Sequence, residues 1–503
     1  MPDDLVIPAG GDVPFAAARE FIRRILTEDE VAAVARPLRP VLHTTPDGTW
    51  PGDRQRLKSQ LRFPTRLRGR REFRAVAWLL NDRRSGPVEV VTAGPLSPAD
   101  ADFFGVLSRY GPVVLRTEGT RGAGTSEEHP GDAEVAADMA RVRAGLRGEA
   151  DWSWLCRRLG RYLSCGDSWT GLWLAQAVLD GAVAPSGAAA NMMASAFFLQ
   201  NRTSEAELLF RAAMREGGVQ HARGAYGLAM LYTRHHPRAW RDVGAAADLL
   251  ESGWRALSPL PDSDEIVRER VLNRNGLALV LHKEGDGEGA IALLRDSVRR
   301  LVAGGLEASE HHSVLLNNLG RVCAASGGRE AEAESALRQA AETDPRFAEY
   351  WLDLALFLAE RGRHDEALAA ARAADGCSAA IAEIPALLGY LHAVAGDHAR
   401  AAAHYQEAAA KDPGAPEHAL AASRELIEVG EHRAARGWLA RLDERALTGE
   451  QRAEAALLAL EIDANGSPPL STVQVAARLR ELADVHPGSD LVSRNLRAVT
   501  GGP

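Results

Sequence analysis

Four glycines, Gly328, Gly362, Gly396 and Gly430, recur at a spacing of 34 residues, and four alanines, Ala333, Ala367, Ala401 and Ala435, follow them at the same step. A fixed period of this length restricts a chain to few architectures. Each period must be one small unit that cannot bury its apolar face alone, so that successive units stack and share a core. Stacks of this kind mostly hold other proteins or peptides on a concave face. The period thus points to a way of working, by binding, and leaves the partner open.

The 503 residues allow about three domains, or one small domain and a long stack. Hydrophobic residues make up 46% and charged residues 25%, as in ordinary globular proteins. No run of about 20 apolar residues is found, so no helical membrane span is indicated. The N-terminal residues carry acids where a secretory leader needs bases, so a cytoplasmic location is expected, with no membrane partner. Only Lys58, Lys283 and Lys411 are lysines, and with the abundant Ala and Gly this points to coding bias in a GC-rich bacterium. Cys156, Cys165, Cys323 and Cys377 form no CxxC pair and have no histidine at zinc spacing, so they read as reduced thiols.

Residues 1–118 differ from the rest. Apolar residues at helical spacing predict one helix from Pro14 to about Ala35, followed by a proline-rich loop. Phe73–Leu80, Val88–Thr92 and Val113–Arg116 read as strands. Ser97-Pro98 predicts a helix start, with the helix running to about Tyr110. Strand, helix and strand at this spacing predict a small α/β domain. Residues 119–132 read as a linker, 133–449 as the repeat stack and 450–503 as a closing helical cap. The expected fold class is therefore mostly α, a stack of about seven to eight helix pairs behind a small α/β domain.

Four consecutive units carry a more specific pattern. Residues 348–381 place Trp351, Leu354, Ala355, Leu358, Gly362, Ala367, Ala371 and Ala374 at fixed offsets. Residues 382–415 repeat it with Leu388, Gly389, Gly396, Ala401, Tyr405, Ala408 and Pro413, and 416–449 with Ala422, Ser423, Leu426, Gly430, Ala435 and Leu439. Residues 313–347 match with one extra turn residue, through Leu316, Leu319, Gly320, Gly328, Ala333, Leu337, Ala340 and Pro345. Small residues stand where helices must approach closely, bulky ones fill between, and proline ends the second helix. Residues 271–297, 187–220 and 153–186 match more loosely, and a degenerate unit near Leu228 carries an insertion at His235-His236-Pro237. This pattern resembles the tetratricopeptide repeat family, over roughly 150–450 and on towards the end. The resemblance does not reach the first 118 residues.

It implies a right-handed superhelix whose first helix in each unit lines an inner groove with positions 2, 5, 9, 12 and 13. Placed in that frame, Asn191, Asn275 and Asn317 all fall at position 5. An amide donates and accepts, so a row of them can pair with the main chain of an extended peptide; local backbone pairing is the alternative. Asn318 and Arg321 lie beside them, and Arg321 can grip a carboxylate. Glu349, Leu352, Leu356 and Tyr390 extend the same face and favour a basic or apolar ligand, unless they are only a solvated face.

Charge is divided unevenly. Residues 50–125 carry 14 Arg or Lys and 7 Asp or Glu, a balance of +7 within a chain of net charge −9, which leaves −16 elsewhere. Nine of these bases, Arg54, Arg56, Lys58, Arg62, Arg66, Arg68, Arg70, Arg71 and Arg74, stand against the one acid Glu72 between Arg54 and Arg74. Such a stretch can contact phosphates of a nucleic acid, pack on the chain's own acidic part or a protein partner, or be plain surface. Two interleaved aromatics, Phe63 and Phe73, are too few for base stacking. Trp152, Trp154, Trp169 and Trp173 point to a junction between the N-terminal domain and the first repeat. No metal, nucleotide or nucleophile motif is found, and no cofactor is expected. The adaptor reading comes first, with the N-terminal domain as a second docking element. An effector or nucleic-acid-binding head regulated by the stack, and an enzyme recruiting a peptide substrate, are the alternatives.

Overall fold

The computed structural model describes residues 5–7, 13–34, 38, 41–42, 65–84, 86–92, 94–117, 130–181, 183–307, 309–378, 380–466 and 468–501. They form two compact units, Met1–Tyr350 and Trp351–Pro503. No described helix is long and apolar enough to cross a membrane.

The first unit begins with an α/β head. Three parallel strands, Leu5–Ile7, Val88–Thr92 and Val113–Thr117, form a sheet with Val88–Thr92 in the middle. Ile7 lies opposite Thr92 and Val90 opposite Leu115. The strand Leu5–Ile7 was not foreseen, because three residues between charged and proline-bearing flanks show no alternation. The expected strand Phe73–Leu80 is instead part of the helix Thr65–Arg83. Phe73, Val76, Ala77 and Leu80 all have no exposure, and their spacing of three, four and seven is a helix face. The intervening Ala75, Trp78 and Leu79 made that run look uniformly apolar. The single helix expected from Pro14 to Ala35 is two, Ala16–Ile25 and Glu28–Ala33. Thr27 breaks it, accepting from the Glu30 amide while the Glu30 carboxylate accepts from the Thr27 amide, a reciprocal cap.

Ser97 caps the helix Pro98–Tyr110 as its sequence suggested, with proline in the first turn. Asp100 then joins two elements. One of its carboxylate oxygens accepts from the Ala18 amide at 2.8 Å, in the first turn of Ala16–Ile25, and the other from the Ser97 hydroxyl at 2.6 Å. Burial raises its pKa from the ordinary 3.8 to about 6, against the lowering pull of those hydrogen bonds. The folded chain therefore holds a proton here that the unfolded chain has already released between pH 4 and pH 6. Stability contributed by Asp100 is complete below about pH 4 and is lost as pH rises through 6. Asp100→Asn is expected to remove that slope, read as the denaturation midpoint between pH 4 and pH 7. An unchanged slope would refute the assignment.

Beyond the head, the described residues are helical throughout. In the first unit, Pro130–Arg143 precedes Gly148–Ser164 with Ser168–Asp180, then Gly187–Leu199 with Thr203–Met214. Gly218–Met230 runs into a π-turn at Leu231–His235 and pairs with Val243–Leu257. Asp264–Glu284 with Gly287–Ala303, and Glu310–Ser326 with Glu330–Thr343, complete the series. Neighbouring pairs share apolar cores such as Leu159, Met193, Phe197 and Phe210. The helix Ala348–Ala359 begins in the first unit, which holds Glu349, and continues into the second, where His364–Asp375 is followed by Glu383–Val394 with His398–Lys411 and Pro416–Glu428 with His432–Leu439. Three helices, Gly449–Ala464, Thr472–Val485 and Asp490–Thr500, follow.

Candidate functional site: the inner helices of the repeats

The periodic residues have clear structural reasons. Gly328, Gly362, Gly396 and Gly430 have φ of 64°, 71°, 76° and 79°, each in the tight turn between the two helices of a unit. A Cβ at these positions would meet nothing within 4 Å, so the left-handed backbone, and not crowding, demands glycine. Ala333, Ala367, Ala401 and Ala435 have no exposure, and each sits in the first turns of the second helix. These turns and close contacts agree with what the resemblance to tetratricopeptide repeats implies.

No family model matches the sequence, and no curated protein does. Among solved structures, the C-terminal part of a tetratricopeptide-repeat-containing protein from Cytophaga hutchinsonii is 12% identical with a TM-score of 0.41, covering 54% of this chain and 99% of that one. PilF of Pseudomonas aeruginosa is 20% identical with a TM-score of 0.37, covering 46% and 98%. YrrB, described as a tetratricopeptide protein with an unusual peptide-binding site, is 17% identical with a TM-score of 0.29, covering 41% and 92%.

The first helices of the early units surround a cavity of about 200 Å³. Ala188, Asn191, Ser195 and Phe198, at positions 2, 5, 9 and 12 of unit 187–220, line one wall. Gln220, Arg223, Gly227 and Met230 repeat that spacing on the next inner helix and form another. Glu269 and Leu272, from Asp264–Glu284, and Cys156, from Gly148–Ser164, add to the lining. Gly227 lets the helix sit on Phe210, whose ring atoms lie 2.4–2.7 Å from where a Cβ would be. Arg223 pairs with Glu269 at 2.6 Å and Glu265 at 2.7 Å. Burial pushes up the Cys156 thiol and the Tyr226 hydroxyl, so both stay protonated at neutral pH.

Asn191 is 5% exposed, and its Nδ2 donates to the Gln220 carbonyl at 3.1 Å and the Gln220 side-chain oxygen at 2.9 Å. A main-chain carbonyl only accepts, which settles which end of the amide faces it. Oδ1 is left buried with no hydrogen-bond partner among the described residues. An unpaired buried acceptor costs about 1–3 kcal/mol. The other amides are also built into the repeat. Asn275 is 4% exposed, and its Oδ1 accepts from Nδ2 of Asn318 at 2.9 Å, linking inner helices of adjacent units. Asn317 is buried and Arg321 is exposed. Glu349 is buried and ion-paired with Arg71 of the head at 3.2 Å. In the second unit Leu352 is buried, whereas Leu356 and Tyr390 are exposed large apolar side chains.

Of the basic stretch, Arg54, Arg56, Lys58 and Arg62 lie outside the described residues, as do the side chains of Arg66 and Arg68. The remaining three are engaged within the first unit. Arg70 donates through Nε to Asp102 at 2.9 Å, Arg71 holds Glu349, and Arg74 stacks over the Tyr110 ring at 4.5 Å. Asp102 also accepts from the Trp169 indole at 2.8 Å. Trp169 belongs to the first repeat, yet its ring is part of the head's core, edge-on to Phe15 at 5.2 Å and tilted on Phe73 at 5.9 Å. Trp152, Trp154 and Trp173 pack half-buried on the core of the early repeats instead. Sequence reasoning missed Gln220, Arg223, Gly227 and Met230. The spacing they share with Ala188, Asn191, Ser195 and Phe198 was a usable signal.

Proposed function

We propose that this protein is a non-catalytic adaptor whose inner helices hold a peptide or protein segment, with the head as a second docking element. The observation that carries this reading is the set of amides on inner helices of the first unit, Asn191 on Gly187–Leu199, Asn275 on Asp264–Glu284, and Asn317 and Asn318 on Glu310–Ser326. Asn318 and Asn275 brace each other across a unit boundary, so neither must be ordered when a ligand arrives. The Arg71–Glu349 pair brings the head to the same set of helices, and a basic partner segment competes with Arg71 for Glu349. Partners identified by pull-down and mass spectrometry are tested as synthetic peptides against the full chain by calorimetry. Asn275→Ala with Asn317→Ala, and separately the exposed Arg321→Glu, are expected to weaken binding about tenfold or more while melting stays cooperative. Binding unchanged in both variants would sink the reading. Arg71→Ala is expected to strengthen binding of a basic peptide about threefold, in line with the loss of one half-buried ion pair. Weaker binding would show that Arg71 itself contacts the ligand.

A further inference from the structure

The cavity between the inner helices of the early repeats is a shaped site with a definite chemistry. Its walls at Met192, Phe198, Phe210, Tyr226, Met230 and Leu272 are apolar, rich in rings and thioethers. Sulfur against an aromatic edge is a favourable contact, and methionine adapts its shape to an entering ring. The charges among its lining residues cancel, since Arg223 and Glu269 pair with each other, so the site favours an uncharged group. A volume of about 200 Å³ suits one ring system and excludes a helix or a folded segment. One polar demand remains. Asn191 is one of the lining residues, its buried Oδ1 has no partner among the described residues, and its Nδ2 is fixed on the Gln220 carbonyl, so the side chain cannot turn over to satisfy that acceptor.

An occupant that meets all four conditions has an aromatic body and one hydrogen-bond donor at its tip. Tyrosine and tryptophan side chains are of this kind, and they are the residues that most often anchor partner segments in desolvated pockets. We propose that this cavity receives the side chain of a tyrosine or tryptophan from the partner segment, its ring between Met192, Phe198 and Met230 and its O–H or N–H donating to Oδ1 of Asn191. The proposal rests on the adaptor reading for the identity of the ligand's carrier. The site's preference for a donor-bearing ring stands on the cavity itself.

Side-chain analogues test it without knowledge of the partner. With the full chain, 4-methylphenol and 3-methylindole are titrated against toluene by ligand-observed NMR, each competing with the others. The donor-bearing rings are expected to bind at least about fivefold more tightly than toluene. Asn191→Leu, which keeps size and removes the acceptor, should bring all three within about twofold. Ala188→Phe fills the cavity from a half-buried wall position, leaves Asn191 in place, and should abolish binding of all three. Toluene binding as tightly as 4-methylphenol, a ratio indifferent to Asn191→Leu, or no saturable binding of any ring would overturn the assignment. The two readings fail separately. A captured partner lost with Arg321→Glu but indifferent to Ala188→Phe removes the aromatic pocket and leaves the adaptor. Ring analogues that bind as described, with partner peptides indifferent to every inner-helix variant, keep the pocket and remove the adaptor.

Discussion

Trp169→Ala is expected to destabilise the first unit by about 3–5 kcal/mol, the range for truncating a large buried aromatic. The ring is 5% exposed and touches Phe15 and Phe73, so its loss opens a cavity where head and first repeat share one core. It also takes from Asp102, itself buried, one of its donors, leaving Arg70 to hold that carboxylate. The measurement is the denaturant midpoint of the full chain, together with protease cleavage in the head. Trp169→Phe keeps a six-membered ring but loses the fused five-membered ring with its N–H, and is expected to cost about 1–3 kcal/mol. An alanine variant as stable as the parent would mean that the head's core does not depend on the first repeat.

Gly320→Val is expected to cost about 3 kcal/mol, at the upper end for overpacking a close contact. A Cβ on Gly320 would lie 2.6 Å from Cγ of Leu337, 2.9 Å from its Cδ2 and 3.0 Å from the Ala333 carbonyl oxygen. Leu337 can turn aside, but the carbonyl belongs to the helix backbone and can move only if the pair separates. Ala355, Gly389 and Ser423 occupy the corresponding place in later units, all small for the same reason. Ser423 adds a hydroxyl bond to the Ala419 carbonyl at 2.8 Å, so a small polar residue is tolerated there while a branched one is not. A loss of cooperativity in thermal melting, with the helical signal fading over a broader range, is the expected signature. Full stability in Gly320→Val would show that the paired helices are less tightly set than their geometry indicates.

The helices Pro98–Tyr110 and those of the regular units were legible because their signals are local. A cap at Ser97, glycines where φ is positive and alanines at closest approach each act within a few residues. The head was only partly legible. The face formed by Phe73, Val76, Ala77 and Leu80 was hidden by apolar neighbours, and a three-residue strand has too few side chains to show a period. Thr27 ended a helix that hydrophobic spacing alone continued to Ala35, since a capping box outweighs a weak apolar pattern. Among candidate site residues, Asn191, Asn275 and Asn317 could be named from their common position in the repeat. That Asn318 would brace Asn275, and that Asn191 would keep one bond-making atom unused, follows from how two helices meet.

The amino-acid sequence by itself determined the repeat, its period, the places where glycine and alanine are required, and the order of strand, helix and strand from Val88 to about Arg116. Only the tertiary structure decided that, of the four tryptophans expected at the junction, Trp169 alone among the described residues joins the core of the head. It alone decided that Arg70, Arg71 and Arg74 turn inward on Asp102, Glu349 and Tyr110, and that helices of several early units line one cavity with Asn191. The reason is one of range. Backbone conformation and helix period are set by neighbours within a turn or two of chain. Partners for a charge, an indole or an amide come from segments tens to hundreds of residues away, as the 278 residues between Arg71 and Glu349 illustrate, and nothing in the local pattern marks which will meet.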